Sequence, residues 1–189
     1  MVDIFSLAIG IYALLIAVIG TFGNLLIFIT TLQVHGENNT TFIFLRFLSI
    51  SDWITLFFFN LDSFSLPVYD VYLENISVAS CKWVDFLQFA SFQSSAWLLV
   101  SLSLDRCLSV IFVNWHRVYF NAKRAMYFAT AVVIVNVLIN IHILFTFGAV
   151  DIVYDNVTTY TSEITRCYNI DGDPNQLMNI WQLVKEILY

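Results

Sequence analysis

Charged residues are scarce in this sequence. They make up 12% of its 189 residues, against 59% that are hydrophobic, and the mean hydropathy is +0.78. Soluble globular domains contain about 25% charged residues, so an ordinary soluble domain is excluded. The 8 basic residues are outnumbered by 14 acidic ones, which excludes a broad basic surface for nucleic acid. We therefore predict an integral membrane protein whose partners include the lipid bilayer and no nucleic acid.

Proline, glycine and cysteine are also few. With 2 prolines and 6 glycines, the chain has no stretch typical of a linker, and it shows no internal repeat, so residues 1–189 are predicted to form one domain. Its 3 cysteines allow at most one disulfide bond within the chain. No catalytic or phosphate-binding motif is present, and we predict that the protein is not an enzyme.

Long apolar runs are what the sequence has in abundance. Each of the four long ones exceeds the roughly 20 residues that a helix needs to cross a bilayer. A fifth run is only beginning where the sequence stops. The predicted fold is therefore an all-α membrane helical bundle. Its helices are predicted at 4–32, 41–67, 81–113 and 125–150, with the start of a fifth at 177–189.

Basic residues are concentrated in the loop after the third run. Arg117, Lys123 and Arg124 lie there, close to Arg106, whereas the loops before the third run and after the fourth are acidic. By the positive-inside rule, the basic loop is cytoplasmic and the acidic loops are extracellular. We therefore expect a multi-pass protein with an extracellular N-terminus.

Glycosylation sequons agree with this orientation in part. Asn75 and Asn156 begin sequons in loops that are predicted to be extracellular, and both are glycosylation candidates. Asn39 also begins a sequon, in a loop predicted to be cytoplasmic. The sequons alone therefore do not fix the orientation.

The cysteines divide between the two sides. Cys81 and Cys167 are predicted to lie outside, in an oxidising compartment, and Cys107 inside. A Cys81–Cys167 bond would tie the outer end of the third helix to the acidic loop after the fourth. The alternative is that all three cysteines are unpaired.

Three polar residues are predicted at one depth in the membrane. Counted from the inner ends of their helices, Asn24, Asp52 and Ser95 lie roughly 12 to 16 Å deep. A carboxylate there costs about 2.5 to 3.5 kcal/mol, so Asp52 needs a partner, a cation or a proton. Oxygen ligands from Asp52 and Ser95 suit a small alkali cation. The alternative is a protonated Asp52 that is hydrogen-bonded to Asn24 for packing alone.

Several short motifs, taken together and in order, resemble the rhodopsin-like G protein-coupled receptors. The resemblance extends over essentially the whole chain, but it accounts for the first four of seven helices and the start of the fifth, which implies a fragment of a partial seven-transmembrane fold. The motifs are Gly23-Asn24, Leu48-Ser49-Ile50-Ser51-Asp52, Cys81 with Ser95, Asp105-Arg106-Cys107, and Cys167.

The resemblance implies roles for these residues. Asp105 and Arg106 would form the inner switch, in which the acid holds the arginine at rest and the arginine turns to the G protein in the active state. Asn24, Asp52 and Ser95 would line an allosteric sodium pocket, with no other cofactor.

The sequence also departs from the family pattern in two places. Cys107 stands where the family most often has tyrosine, and the predicted fourth helix lacks the usual tryptophan. In that helix Asn136 and Asn140 lie about one turn apart, and they are its main candidates for hydrogen bonds to other helices.

The ligand class is approached through the outer ends of the helices. Gln88 stands where amine receptors of this family carry an aspartate, which argues against an amine ligand. Asp62 and Asp85, with the acidic outer loops, would attract a cationic ligand such as a basic neuropeptide. These three residues are the ligand-pocket candidates. The alternative is a solvated acidic surface without a binding role.

The leading interpretation is a plasma-membrane receptor for an extracellular peptide that signals to a heterotrimeric G protein by helix movement. One alternative is a truncated, non-signalling four-helix membrane scaffold or partner-regulating subunit. Another is an intramembrane enzyme or transporter in which Asp52 carries protons, although no second acid lies at its depth.

Overall fold

The computed structural model describes residues 4–33, 39–69, 73, 76–112, 114–154 and 161–167. Within these ranges the four helices of membrane-spanning length and composition confirm the predicted helical bundle. The elements in chain order are α1 (Ile4–Gln33), α2 (Thr40–Tyr69), α3 (Val78–Ile111), a π-helical turn (Trp115–Tyr119), α4 (Ala122–Asn140), α5 (Ile143–Thr146), β1 (Ala149–Tyr154) and β2 (Thr161–Arg166).

Side-chain caps fix where two of the long helices begin. The Ser77 side chain accepts a hydrogen bond of 3.0 Å from the Ser80 backbone N–H, so α3 begins three residues before the predicted start at Cys81. The Asn121 side chain accepts a bond of 3.0 Å from the Arg124 backbone N–H at the start of α4. Such caps satisfy amide groups that have no partner within the helix.

The end of the predicted fourth helix is corrected by the structure. We predicted helix up to Val150, but α4 ends at Asn140, and the short helix α5 is followed by β1 from Ala149. Gly148 has φ of +86°, a left-handed conformation that glycine adopts without strain, and the chain leaves the helical path there. The predicted start of a fifth helix at 177–189 lies outside the described residues.

β1 and β2 form an antiparallel pair in the segment that follows α5. Ala149 is opposite Arg166, and Tyr154 is opposite Thr161. The first strand contains Val150, Ile152 and Val153, which are β-branched and favour extended backbone. This hairpin is the one sheet in the described part of the chain.

Helices α1 and α2 pack closely where Gly20 faces Leu56. A Cβ atom at Gly20 would lie 2.5 Å from Leu56 Cδ1, whereas one at Gly23 would have nothing within 4 Å. Close contact of the two helices therefore depends on the missing side chain at Gly20. On α2, the Arg46 guanidinium donates hydrogen bonds to the backbone oxygen of Thr31 near the end of α1, which fastens the two helices at this end.

The main apolar core lies where α2, α3 and α4 meet, close to the first residues of α2 and α4. Phe44 from α2, Leu98 from α3, and Ala125 and Ala129 from α4 are almost wholly buried in it. The two alanines are one helical turn apart, and their small side chains allow α4 to approach its neighbours. This core fixes the height of α3 relative to α2, and hence the position of the polar groups described below.

Ala129→Leu is expected to destabilise the bundle by about 1–3 kcal/mol, because an enlarged side chain in a filled core forces its neighbours from their preferred rotamers. Ala129 has no exposed surface. The measurement is the thermal midpoint of the purified protein in detergent. Ala131→Leu is the matched control, since Ala131 lies two residues further along α4 and is exposed. Equal midpoints for the two variants would contradict the packing described here.

Candidate functional site

Asp105, near the C-terminal end of α3, joins three elements. It is 3% exposed, and its Oδ2 accepts a hydrogen bond of 2.8 Å from the Thr40 hydroxyl at the start of α2. Its Oδ1 accepts one of 3.0 Å from the indole N–H of Trp115 in the π-helical turn, and lies 3.8 Å from Nδ1 of His116. Burying a carboxylate raises the free energy of the folded protein unless the group is hydrogen-bonded, and these donors provide the hydrogen bonds.

Arg106 lies beside this carboxylate in sequence but not in space. Its side chain is exposed, and among the described residues no ion pair joins it to Asp105. Consecutive side chains on a helix point about 100° apart, so Arg106 projects from a different side of α3 than Asp105, which is bonded to Thr40 of α2. The structure therefore differs from the resting arrangement that the resemblance implies, in which the acid holds the arginine. Cys107, the next residue, is an exposed free thiol.

Aromatic stacking holds the π-helical turn against the helices. The Trp115 ring is stacked on Phe112, Tyr119 and Phe120, with ring centroids 6.2, 5.9 and 5.9 Å away. Phe120 is in turn stacked on Phe44 of α2, at 6.3 Å. Offset aromatic contacts at these distances add to the stability gained from burial alone. The indole that binds Asp105 is thus fixed from several sides.

At the other end of α3, Cys81 and Cys167 form a disulfide bond, which confirms the predicted pairing. Their Cα atoms are 5.5 Å apart, and the two residues are 0% and 2% exposed. Ile143, the first residue of α5, and Phe147, the residue after its end, are buried in the same cluster. The bond therefore fastens the residue after β2 to the N-terminal end of α3.

Asp85, one of the three ligand-pocket candidates, lies beside the disulfide. It lies one turn along α3 from Cys81 and is fully buried. A carboxylate oxygen of Asp85 and the sulfurs of Cys81 and Cys167 all lie within 4.8 Å of one another. Because both sulfurs are bonded to each other, these three residues are not an available metal site as they stand. The buried cluster around the disulfide removes this carboxylate from the surface.

The remaining outer candidates are described only in part. Gln88 is half-buried on α3. Asp62 lies within α2, but its side chain is outside what the structure describes, as are the glycosylation candidates Asn75 and Asn156. Their predicted roles stay predictions.

The predicted polar layer is not drawn together by any hydrogen bond among the described residues. Asp52 and Asn24 are half-buried, and Ser95 is 8% exposed. The Ser95 hydroxyl has no hydrogen-bond partner in the described part of the chain, which fits a polar ligand such as a hydrated cation. Asn24 instead borders a groove of about 440 Å³ between α1 and α2, together with Phe28, Ser49 and Trp53.

Two hydrogen bonds between helices lie further out along α3. The Asn140 amide of α4 donates to the Gln93 side-chain oxygen at 2.8 Å, which bears out the prediction for Asn140. The Thr55 hydroxyl of α2 donates to Ser91 at 2.9 Å. Asn136 donates to the Val132 backbone oxygen of its own helix. The Thr55 and Gln93 partners were missed, although both are polar residues within apolar runs, which is a usable signal.

Comparison with known proteins supports a receptor. The model of the family described as "Serpentine type 7TM GPCR chemoreceptor Srx" matches residues 14–184. Over 126 residues the chain is 27% identical to Neuropeptide receptor 22 of Caenorhabditis elegans, an alignment that covers 66% of this chain and 29% of that receptor. Over 169 residues it is 26% identical to Probable G-protein coupled receptor 32 of Homo sapiens, covering 87% and 42%.

The chain therefore spans less than half the length of these two curated relatives. Both relatives are named as receptors, a class of protein that is not enzymatic. The apolar helices and the family together identify a multi-pass membrane protein. Because the family model matches most of its length, the chain belongs to the serpentine seven-transmembrane G protein-coupled receptors of the Srx chemoreceptor type.

Proposed function

We propose that these residues form the first four helices of a rhodopsin-like receptor that binds an extracellular peptide and activates a heterotrimeric G protein. The observation that carries the proposal is the geometry at the inner end of α3. There the Asp105 carboxylate is occupied by Thr40 and Trp115, and the Arg106 guanidinium is exposed. A guanidinium without an anionic partner at the membrane boundary has N–H groups free to donate hydrogen bonds, and a partner protein can provide oxygen acceptors for them.

We propose that the receptor lies in the plasma membrane. Its N-terminus and the hairpin are then extracellular, and the π-helical turn is cytoplasmic. Lys123 and Arg124, which are exposed at the start of α4, support it because basic loops remain on the cytoplasmic side. The Cys81–Cys167 disulfide supports it because disulfides form in oxidising compartments.

A peptide is the ligand class that we propose. Acidic residues predominate in the segments at the outer ends of the helices, which favours a cationic ligand. Gln88 supplies no charge for an amine at its position on α3. One relative carries the name Neuropeptide receptor 22, and we extend a peptide ligand from that receptor to this chain as part of the proposal.

We also propose that Asp52 and Ser95 contribute oxygen ligands to an allosteric sodium ion, with Asn24 in the same layer. The Ser95 hydroxyl supports this role, because it is buried and has no hydrogen-bond partner among the described residues. Asp52→Asn should then remove the sodium dependence of ligand affinity. In the unaltered receptor, an equal effect of sodium and of the large organic cation N-methylglucamine on ligand affinity would refute the sodium site.

The test is to express the longest natural reading frame that contains these residues and to screen peptides for G protein activation. Arg106→Ala is expected to abolish activation by an active peptide while surface expression persists, because the exposed Arg106 side chain supports no contact among the described residues. Lys123→Ala is the matched control, an exposed basic residue at the same end. Unaltered activation by the Arg106 variant would contradict the proposed site.

A further inference from the structure

His116 lies beside Asp105, but the proposed switch does not use it. Its side chain is 38% exposed, so one face of the imidazole is open to the surroundings. Its Nδ1 lies 3.3 Å from the Thr40 hydroxyl oxygen and 3.8 Å from Asp105 Oδ1. The imidazole therefore lies within ion-pair distance of the carboxylate.

The hydroxyl of Thr40 determines where the imidazole carries its first hydrogen. Thr40 has one hydroxyl hydrogen, and it donates this to Asp105 Oδ2 at 2.8 Å. The hydroxyl oxygen can then only accept from His116, so Nδ1 bears a hydrogen. Nε2 is consequently the atom that takes up or releases a proton. Proton uptake there turns His116 into a cation whose Nδ1–H is directed at Thr40 and Asp105.

Asp105 is the charged group that this cation would meet. From α3, Asp105 faces His116, and from α2 the facing group is the uncharged Thr40 hydroxyl. On its own turn the neighbour is Trp115, and the Arg124 guanidinium of α4 is bonded to the Tyr119 backbone oxygen. Within the described residues, Asp105 is the one acid or base within ion-pair distance of the imidazole.

We propose that His116 competes with Arg106 for the Asp105 carboxylate and that the proton on Nε2 decides the competition. When His116 is protonated, it holds Asp105 together with Thr40 and Trp115, and Arg106 remains free for a partner. When His116 is neutral, Asp105 keeps its bonds to Thr40 and Trp115, but its negative charge is no longer compensated and attracts Arg106. Histidine is suited to this role because it changes charge between about pH 5 and 8.

The competition is a property of the described chain and does not depend on G protein coupling. Its consequence for signalling rests on the proposed function. Acidification on the side of the π-helical turn should favour the free arginine, and alkalinisation should favour its capture. For a partly exposed ion pair, we expect roughly a threefold change in the ratio of the two states between pH 8 and pH 6.

The first experiment follows Arg106 through its neighbour. Cys107 is a free thiol, while Cys81 and Cys167 are bonded to each other, so an environment-sensitive fluorophore can be attached at Cys107 alone. The labelled 189-residue chain in lipid nanodiscs is expected to change its emission between pH 8 and pH 6. His116→Gln should remove that change, and His116→Arg should fix the emission near its value at pH 6. An undiminished change in the His116→Gln variant would overturn the proposal.

His142→Gln is the matched control, because His142 lies between α4 and α5, where its Nδ1 contacts the Ile139 backbone oxygen. Its emission should follow pH as the unaltered protein does. Loss of the response in the His142 variant, with His116 intact, would refute the assignment to His116. Thermal midpoints of all variants verify that each is folded. If His116→Gln is not folded, His116→Arg still tests the inference.

The second experiment measures G protein activation by the full-length receptor at the two pH values, using buffer on the G protein side. Activation that rises at pH 6 and becomes independent of pH in His116→Gln supports a role in signalling. A receptor that never activates a G protein refutes the proposed function, and the fluorescence at Cys107 still decides the competition. Activation with the same pH dependence in both proteins would overturn the role of His116.

Discussion

Replacing Cys81 and Cys167 together by serine is expected to lower the free energy of unfolding by about 4 kcal/mol, the estimate for closing so long a loop. The two cysteines are 86 positions apart, and the bond removes many conformations from the unfolded chain. Part of the effect is local as well, because Ile143 and Phe147 pack in the cluster that contains the disulfide. The measurement is the thermal midpoint in detergent, with cell-surface abundance as a second readout.

Cys107→Ser is the control for this double substitution. Its thiol is exposed and unbonded, so the same chemical change should leave the midpoint almost unaltered. Reduction of the unaltered protein by dithiothreitol should reproduce the loss seen in the double variant. A double variant with the midpoint of the unaltered protein would show that the hairpin and the outer end of α3 are held by other contacts.

Asp105→Ala is expected to destabilise the inner end of the bundle by about 2–4 kcal/mol, since it leaves two donors without an acceptor. The Thr40 hydroxyl is 1% exposed and would have to be buried unpaired, and the Trp115 N–H would lose its acceptor in a partly buried position. The measurement is the thermal midpoint together with protease cleavage in the π-helical turn, which should become faster as the turn detaches.

Two further variants separate the hydrogen bonds from the charge. Asp105→Asn retains one acceptor oxygen of the same reach, so it should lose less stability than Asp105→Ala. Arg106→Ala removes an exposed cation at the next position and should change the midpoint little. A loss in Arg106→Ala as large as that in Asp105→Ala would mean that Arg106 also contributes to holding this end, against the geometry described here.

The helical bundle could be predicted well from the sequence because long apolar runs alone indicate membrane-spanning helices. A helix that crosses a bilayer must be apolar along its whole length, so α1, α2 and α3 could be predicted nearly to their ends. The disulfide followed from the placement of Cys81 and Cys167 on one side of the membrane. The interhelical role of Asn140 followed from the cost of an unpaired amide in an apolar run.

The hairpin after α5 was missed because two patterns overlap. The run from Ile143 to Val150 is apolar enough to continue a membrane helix, and apolar content alone does not separate helix from strand. The signal that could have found the strand lies beyond that run, where Asp151 interrupts the apolar residues and β-branched residues follow. Gly148 marks the boundary, but an isolated glycine within a helical pattern is a weak breaker.

The partners of Asp105 could not be read from the sequence for a different reason. Thr40, Trp115 and His116 belong to a helix start and a connecting turn, and no periodicity relates them to α3. Which donor reaches the carboxylate depends on how the turn folds back, and that is settled by the stacking of Trp115 and Phe120. The family resemblance implied that Arg106 is the partner of Asp105, whereas the structure bonds this acid to Thr40 and Trp115.

The disulfide also constrains how the protein is made. Cys81 and Cys167 can meet only if they are on the same face of the membrane, so the chain between them must cross an even number of times, as α3 and α4 do together. During synthesis the bond must wait until Cys167 has emerged, after both helices have been inserted. A molecule in which α4 failed to cross would carry Cys167 on the wrong face, with its thiol left over. The bond can therefore form only when the number of membrane crossings between the two cysteines is even. Misinserted copies would carry unpaired thiols, by which a cell can distinguish them from correctly inserted copies.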